Sequence, residues 1–123
     1  MDIIDIDHLV LTVADMEKSI DFYTHILPMR HEGRALFFGN HKINLHCRPR
    51  EFSPAARHPI EGSGDFCLII QDDIHDAVRE ITKCGGIIEL GPVTRSGAQG
   101  EMQSIYLRDP DGNLVELASY SRR

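Results

Sequence analysis

No apolar run in this chain approaches the roughly 20 residues that a membrane-spanning helix needs, so no span is expected. The start Met1-Asp2-Ile3-Ile4-Asp5 lacks the basic-then-apolar pattern of a secretory leader, and a cytoplasmic location is expected. A basic stripe is missing too. The net charge of -6 is spread along the chain, which argues against nucleic acid as the main partner and leaves small molecules. Cysteine is scarce: Cys47, Cys67 and Cys84 are widely spaced and form no Cys-x-x-Cys pair, so they read as buried, reduced thiols. Neither nucleotide-binding glycine fingerprint is present, because Gly91-Pro92 and Gly97 to Gly100 have the wrong spacing. What remains is ordinary for a soluble domain: 123 residues, 41% hydrophobic and 26% charged. That length implies one domain over 1–123, large enough to bury a core and small enough to make a partner subunit useful.

The stretch Ser104 to Tyr120 organises the chain. Proline and glycine inside Asp109-Pro110-Asp111-Gly112-Asn113, between two apolar runs, predict a turn joining antiparallel strands. In the strand that follows, Leu114, Glu116 and Ala118 share one face, and Val115 and Leu117 the other. Glu116 is then a carboxylate midway along an apolar strand, either an edge charge set against aggregation or a functional group.

Taken in order, Ile3 to Val13 reads as a first strand with Ile6, His8, Val10 and Thr12 on one face and Asp7, Leu9, Leu11 and Val13 on the other. Asp15 is a candidate N-cap for a helix carrying Met16, Ile20, Tyr23 and Leu27, and Pro28 marks its end. Arg34 to Phe38 and Lys42 to Cys47 flank Gly39-Asn40-His41 as a hairpin, with Asn44 and His46 on one face and Ile43 and Leu45 on the other. Arg48 to Gly64, with Pro49, Pro54 and Pro59, reads as a connection in which His58 is a surface residue. Asp65 to Ile70 is a strand, Ile74, Ala77, Val78 and Ile81 mark a helix ended by Cys84-Gly85-Gly86, and Ile87 to Leu90 is strand-like. Gly91 to Gly100, which contains Arg95, reads as a flexible lid or connector, and Met102 to Arg108 leads into the Asp109 turn.

The two halves share one order of elements, an internal repeat. His8 to Asp15 aligns with Asp65 to Asp72, and Ile43-Asn44-Leu45 with Val115-Glu116-Leu117. His8 and Asp65 thus hold equivalent places, as do Asn44 and Glu116. If the two sheets curve into one concave surface, histidine and carboxylates meet there as ligands for a divalent transition metal.

On Asp7-His8-Leu9-Val10-Leu11-Thr12-Val13 and on Tyr106-Leu107-Arg108-Asp109-Pro110-Asp111-Gly112-Asn113-Leu114-Val115-Glu116-Leu117, the sequence resembles the vicinal oxygen chelate (glyoxalase, bleomycin resistance and extradiol dioxygenase) superfamily. Within it the chain looks most like the glyoxalase domain-containing protein 5 type, including bacterial proteins labelled virulence related. That match includes Arg57-His58-Pro59, Gly62-Ser63 and Gly91-Pro92-Val93. The resemblance implies an α+β fold of two βαβββ modules forming a curved mixed sheet, a half-barrel cleft. Module 1 is about 1–50, the linker about 51–63 and module 2 about 64–123. It implies a homodimer, and a divalent metal (nickel, zinc, manganese or iron) on His8, Glu116 and, in a place where most metal-dependent relatives have histidine, Asp65.

The activity that follows is that of a metal-dependent lyase of the glyoxalase I kind, acting on a small α-oxo aldehyde as its thiol adduct. Glyoxalase I enzymes carry a second glutamate where this chain has Asn44, which cannot take a proton, so Glu116 or Asp65 is the expected general base. Tyr106 matches a pocket tyrosine of fosfomycin thiol transferases and is a candidate donor to a bound anion. Arg48 and Arg95 are candidates to hold a carboxylate, and Asn44 and His46 to contact substrate. Two alternatives stand beside this: an iron-dependent extradiol dioxygenase, with His46 completing the ligand count, and a metal-free small-molecule binding protein.

Overall fold

The computed structural model describes residues 1–47 and 52–120, which divide into two compact units, Met1–Gly62 and Ser63–Arg123. The first contains β1 (His8–Val13), α1 (Met16–Asp21), a π-helical turn (Phe22–Ile26), β2 (Arg30–Glu32), β3 (Ala35–Phe38) and β4 (His41–Cys47). Its open sheet has the order β1-β4-β3-β2, with β1 and β4 parallel and the other pairs antiparallel. Asp15 caps α1 by accepting a hydrogen bond from the Lys18 amide at 3.1 Å. The Thr24 hydroxyl donates to the Ile20 carbonyl at 2.7 Å just where the helix widens into the π turn. A side chain competing for a helix carbonyl is one cause of such a bulge. Period-2 alternation sends Leu11, Val13, Ile43 and Leu45 to the face that is buried with Tyr23 and Leu27 from the helical segment. Each such side chain contributes about 1.5–3 kcal/mol on full burial.

The second unit repeats the plan with β5 (Asp65–Ile69), α2 (Ile74–Lys83), β6 (Leu90–Gly97), β7 (Gly100–Arg108) and β8 (Leu114–Ser119), in sheet order β5-β8-β7-β6. Here β5 and β8 are parallel and the others antiparallel. Asp73 caps α2 through the His75 amide at 2.8 Å, and Gly85 ends it at φ 93°, the left-handed position that favours glycine. The buried residues Ile74, Ala77 and Ile81 of α2 belong with Ile105, Leu107, Val115 and Leu117, the buried face of the sheet. Asp109 and Asn113 are themselves buried. The Asp109 carboxylate accepts from the amides of Asp111 and Asn113 and from the Asn113 side chain, and Asn113 Oδ1 accepts from the Gly64 amide at 2.7 Å. The turn therefore fastens the entry to β5 onto the start of β8, and Leu114 N donates to Gly64 O at 2.9 Å beside it.

Each unit is a βαβββ module of an α+β fold, as the sequence implies. The repeat holds at the level of register. His8 opposite Lys42 and Val10 opposite Asn44 in the first unit recur as Asp65 opposite Leu114 and Cys67 opposite Glu116 in the second.

Several expectations change. The first strand begins at His8, not Ile3, because His8 pairs with Lys42 and β4 itself starts at His41, so the residues before Asp7 run past the end of their neighbour strand. Ile3, Ile4 and Ile6 are exposed. Strand β2 went unread because Arg30-His31-Glu32 is polar and exposed throughout, with no alternation to betray it. Gly91 to Gly100 is not a loop: Leu90–Gly97 is strand β6, and Ile87 lies outside it. The irregular step between Leu90 and Val93 hides the alternation, and Gly91 sits there at φ 113°, where a Cβ would meet the Ser104 carbonyl. No cysteine is fully buried: Cys67 and Cys84 keep much of their surface exposed, Cys47 is half-buried, and none forms a disulfide.

Candidate metal and substrate site

His8 opens β1, and its Nδ1 lies 2.8 Å from Asp7 Oδ2. An ionised carboxylate can only accept, so Nδ1 carries a proton, and in the neutral ring Nε2 is the nitrogen left with a lone pair. That is how a neighbouring carboxylate orients a ligating imidazole. The hydrogen bond from His8 holds the Asp7 carboxyl below the usual carboxylate range, and the charges of His8, Lys42 and His41 act in the same direction. Asn44 and His46 follow on β4, in register with Val10 and Thr12. His46 is occupied by stacking: its ring centroid lies 4.5 Å from that of Phe52, and the Arg34 guanidinium is 5.6 Å from the same Phe52 ring.

In the second unit Glu116 stands on β8 in register with Cys67 on one side and Tyr106 on the other. All three point away from the buried face of Ile105, Leu107, Val115 and Leu117. Glu116 Oε2 is buried and has no hydrogen-bond partner. Such an atom costs about 1–3 kcal/mol, and more when charged, unless something outside the protein satisfies it. The Cys67 thiol is pushed up to about 11, first by the partial burial of its sulfur and then by the negative charge of Glu116. Asp65, exposed at the start of β5, pairs with Leu114 one step along the same face and adds attraction for Arg108, which is held mainly by Glu89. On β6, Arg95 donates from Nε to Tyr106 Oη at 2.9 Å.

His8 and Asn44 are thus brought to one face of the first sheet, and Asp65, Arg95, Tyr106 and Glu116 to one face of the second. Among the described residues no group of three or more His, Cys, Asp or Glu side chains stands together as a ready metal cage. Arg48 lies outside the described residues. As individual ligands the residues fit a divalent ion: a buried carboxylate oxygen without a donor and an imidazole nitrogen with a free lone pair. Three residues escaped the sequence reading. Asp7, adjacent to the predicted ligand, was assigned to the opposite strand face. Ser104 alternates with Tyr106 toward the face of Glu116, and Cys67 alternates with Asp65. Strand periodicity puts the last two on that face, but nothing in the sequence marks either as more than an ordinary strand residue.

Residues 5–117 match the Glyoxalase/Bleomycin resistance protein/Dioxygenase superfamily. Virulence protein STM3117 of Salmonella typhimurium is 50% identical over 120 residues, covering 94% of this chain and 83% of that protein. Its crystal structure superposes with a TM-score of 0.95 at 48% identity, covering 98% of this chain and 100% of the other. The glyoxalase domain-containing protein RDO1 of Mycosarcoma maydis is 48% identical over 119 residues, 94% of this chain and 68% of that protein. A lactoylglutathione lyase from Agrobacterium tumefaciens shares the fold alone, with a TM-score of 0.70 at 21% identity, over 94% of this chain and 93% of that one. With matching βαβββ modules and a family match that runs from before His8 through Glu116, the chain belongs to the glyoxalase/bleomycin resistance protein/dioxygenase superfamily.

Proposed function

We propose that this protein is a metal-dependent lyase of the glyoxalase I kind, acting on a small α-oxo aldehyde as its thiol adduct. The observation that carries the reading is the buried, unpartnered Oε2 of Glu116. A carboxylate kept without a donor on an otherwise apolar strand is what a cation site requires, and an edge charge set against aggregation has no reason to be buried. His8, Glu116 and Asp65 are the proposed ligands of a divalent ion, whose Lewis acidity would polarise two adjacent substrate oxygens.

The rest falls to the chain's own groups. The reaction moves one proton between adjacent carbons, so one base must take it and return it. Asn44 has no basic atom, which leaves Glu116 or Asp65 in that role. Tyr106 and Arg95 offer hydrogen bonds to substrate oxygen. Val10 is 46% exposed on the His8 face of the first sheet, and Ile69 and Leu90 are 58% and 47% exposed on the Glu116 face of the second, apolar side chains of the kind that suit a small organic ligand. Those exposed apolar side chains equally favour a second reading, a binding protein that holds such a ligand without turnover.

Metal content separates the two. Protein purified without chelator and offered nickel, zinc, manganese and iron(II) in turn is expected to retain ion in stoichiometric amount and to isomerise the hemithioacetal of methylglyoxal. Retention of less than about a tenth of an equivalent per chain with every ion defeats the lyase reading. His8→Ala and Glu116→Ala should each lower metal affinity by at least about tenfold, and the double variant should lose little more than either, since ligands of one ion are not additive.

A further inference from the structure

In the first sheet the register sets Arg30 of β2, Phe37 of β3, Lys42 of β4 and His8 of β1 side by side in one row. The row lies on the face opposite the buried Leu36, Ile43 and Leu45. Phe37 is held between two cations, with the Arg30 guanidinium 5.1 Å and the Lys42 ammonium 6.0 Å from its ring centroid. Arg30 is neutralised by Glu32, whose carboxylate accepts from Nε at 3.2 Å. Lys42 is not. It is half-buried between Phe37 and His8 and forms no ion pair among the described residues. Its charge acts on Asp7, but that carboxylate is already bonded to His8 Nδ1.

A free cation at this place conflicts with the proposed metal. Neighbouring strands lie roughly 4.8 Å apart, so the Lys42 charge opposes any divalent ion held on His8. In the second unit the equivalent place, beside Asp65, is taken by the uncharged Leu114. The conflict disappears when a ligand brings negative charge to the pair, because Lys42 and the ion then attract the same oxygen.

From this row we infer that Lys42 is a ligand-binding residue of the His8 site, and that it selects ligands which carry or develop a negative charge on one of two adjacent oxygens. The inference rests on the proposed function for His8 as a ligand, whereas the attraction of Lys42 for an anion acts with or without an ion. In the proposed reaction, removal of the proton breaks a C–H bond whose electron pair becomes a C=C bond, and the adjacent C=O pair moves onto its oxygen. Lys42 meets the charge that develops there.

The test titrates this chain, zinc-loaded and metal-free, with glycolate and with hydroxyacetone, which offer two adjacent oxygens with and without a charge. The backbone amide signals of residues 41–44 report binding. Glycolate is expected to bind at least about tenfold more tightly than hydroxyacetone, and Lys42→Met to remove most of that preference while leaving hydroxyacetone unchanged. The same variant should bind zinc at least about threefold more tightly in competition with a chelator, because a repelling charge has gone. A damaged fold would weaken zinc and both ligands together, so it cannot produce these opposite signs. Lys42→Arg keeps the charge and should stay within about twofold of wild type throughout, and Arg79→Gln, an equal change in net charge on α2, should leave the glycolate preference intact. Zinc retention with a glycolate preference that Lys42→Met does not alter overturns the inference and spares the lyase reading. Without zinc retention the lyase reading falls; a glycolate preference in the metal-free chain that Lys42→Met abolishes then upholds the inference, and its absence overturns it.

Discussion

Asp7 and Cys67 show how neighbours set the chemistry of single residues here. Asp7 fixes which nitrogen of His8 carries the proton. Asp7→Asn should therefore reduce metal affinity about tenfold, measured by competition with a chromophoric chelator, although Asp7 itself touches no ion. The Cys67 thiol, raised to about 11 by burial and by Glu116, stays protonated at neutral pH. Thiolate is the reactive form, so alkylation of Cys67 should be slow at pH 7.5 and rise steeply only as the pH approaches 11. Glu116→Gln removes the smaller of the two causes and should speed it, as read by peptide mass spectrometry. His8 and Glu116 could be singled out from the sequence because a polar residue on an apolar strand contradicts its surroundings. Ser104 could not be weighed in that way, since a serine in a strand is unremarkable until its hydroxyl is seen buried without a partner.

Strand β6 is the element the sequence disguised. Glycine and proline normally punctuate chains, and Gly91-Pro92 suggested a loop where the structure has an irregular strand step. Gly91 sits at φ 113° with its missing Cβ aimed at the Ser104 carbonyl. Gly91→Ala combines strain with a backbone clash and should destabilise by roughly 1–3 kcal/mol, seen as a lower melting temperature. The same change should displace β6 against β7. By contrast α2 was fully legible, because Asp73, the Ile74–Ala77–Ile81 stripe and Gly85 agree on one helix. The Asp109 turn was legible as a turn, but not as a clamp, because the Gly64 amide that Asn113 binds is distant in sequence. Asp109→Ala leaves three donors without their acceptor and should cost about 2–4 kcal/mol in urea unfolding.

At the scale of the whole molecule the register identity between the two units is the firmest result, and it accounts for why the family was legible from short motifs at either end of the chain. A chain of 13.9 kDa in two small units, with Ile3, Ile4 and Ile6 exposed, is expected to bury further apolar surface against a second copy. Sedimentation equilibrium at micromolar concentration should give a dimer mass, and a monomer would contradict this. The clamp of Asn113 on Gly64 also bears on how the chain reaches its native state. In each unit the parallel pair, β1 with β4 or β5 with β8, closes the longest loop and so carries the slow step. Both units bring a local hairpin to that closure, β3–β4 and β7–β8, and in the second the turn also presents the side chain that captures Gly64. Asn113→Ala should accordingly slow refolding in stopped-flow measurements far more than it speeds unfolding. The second unit then becomes the nucleus from which ordering of the chain begins.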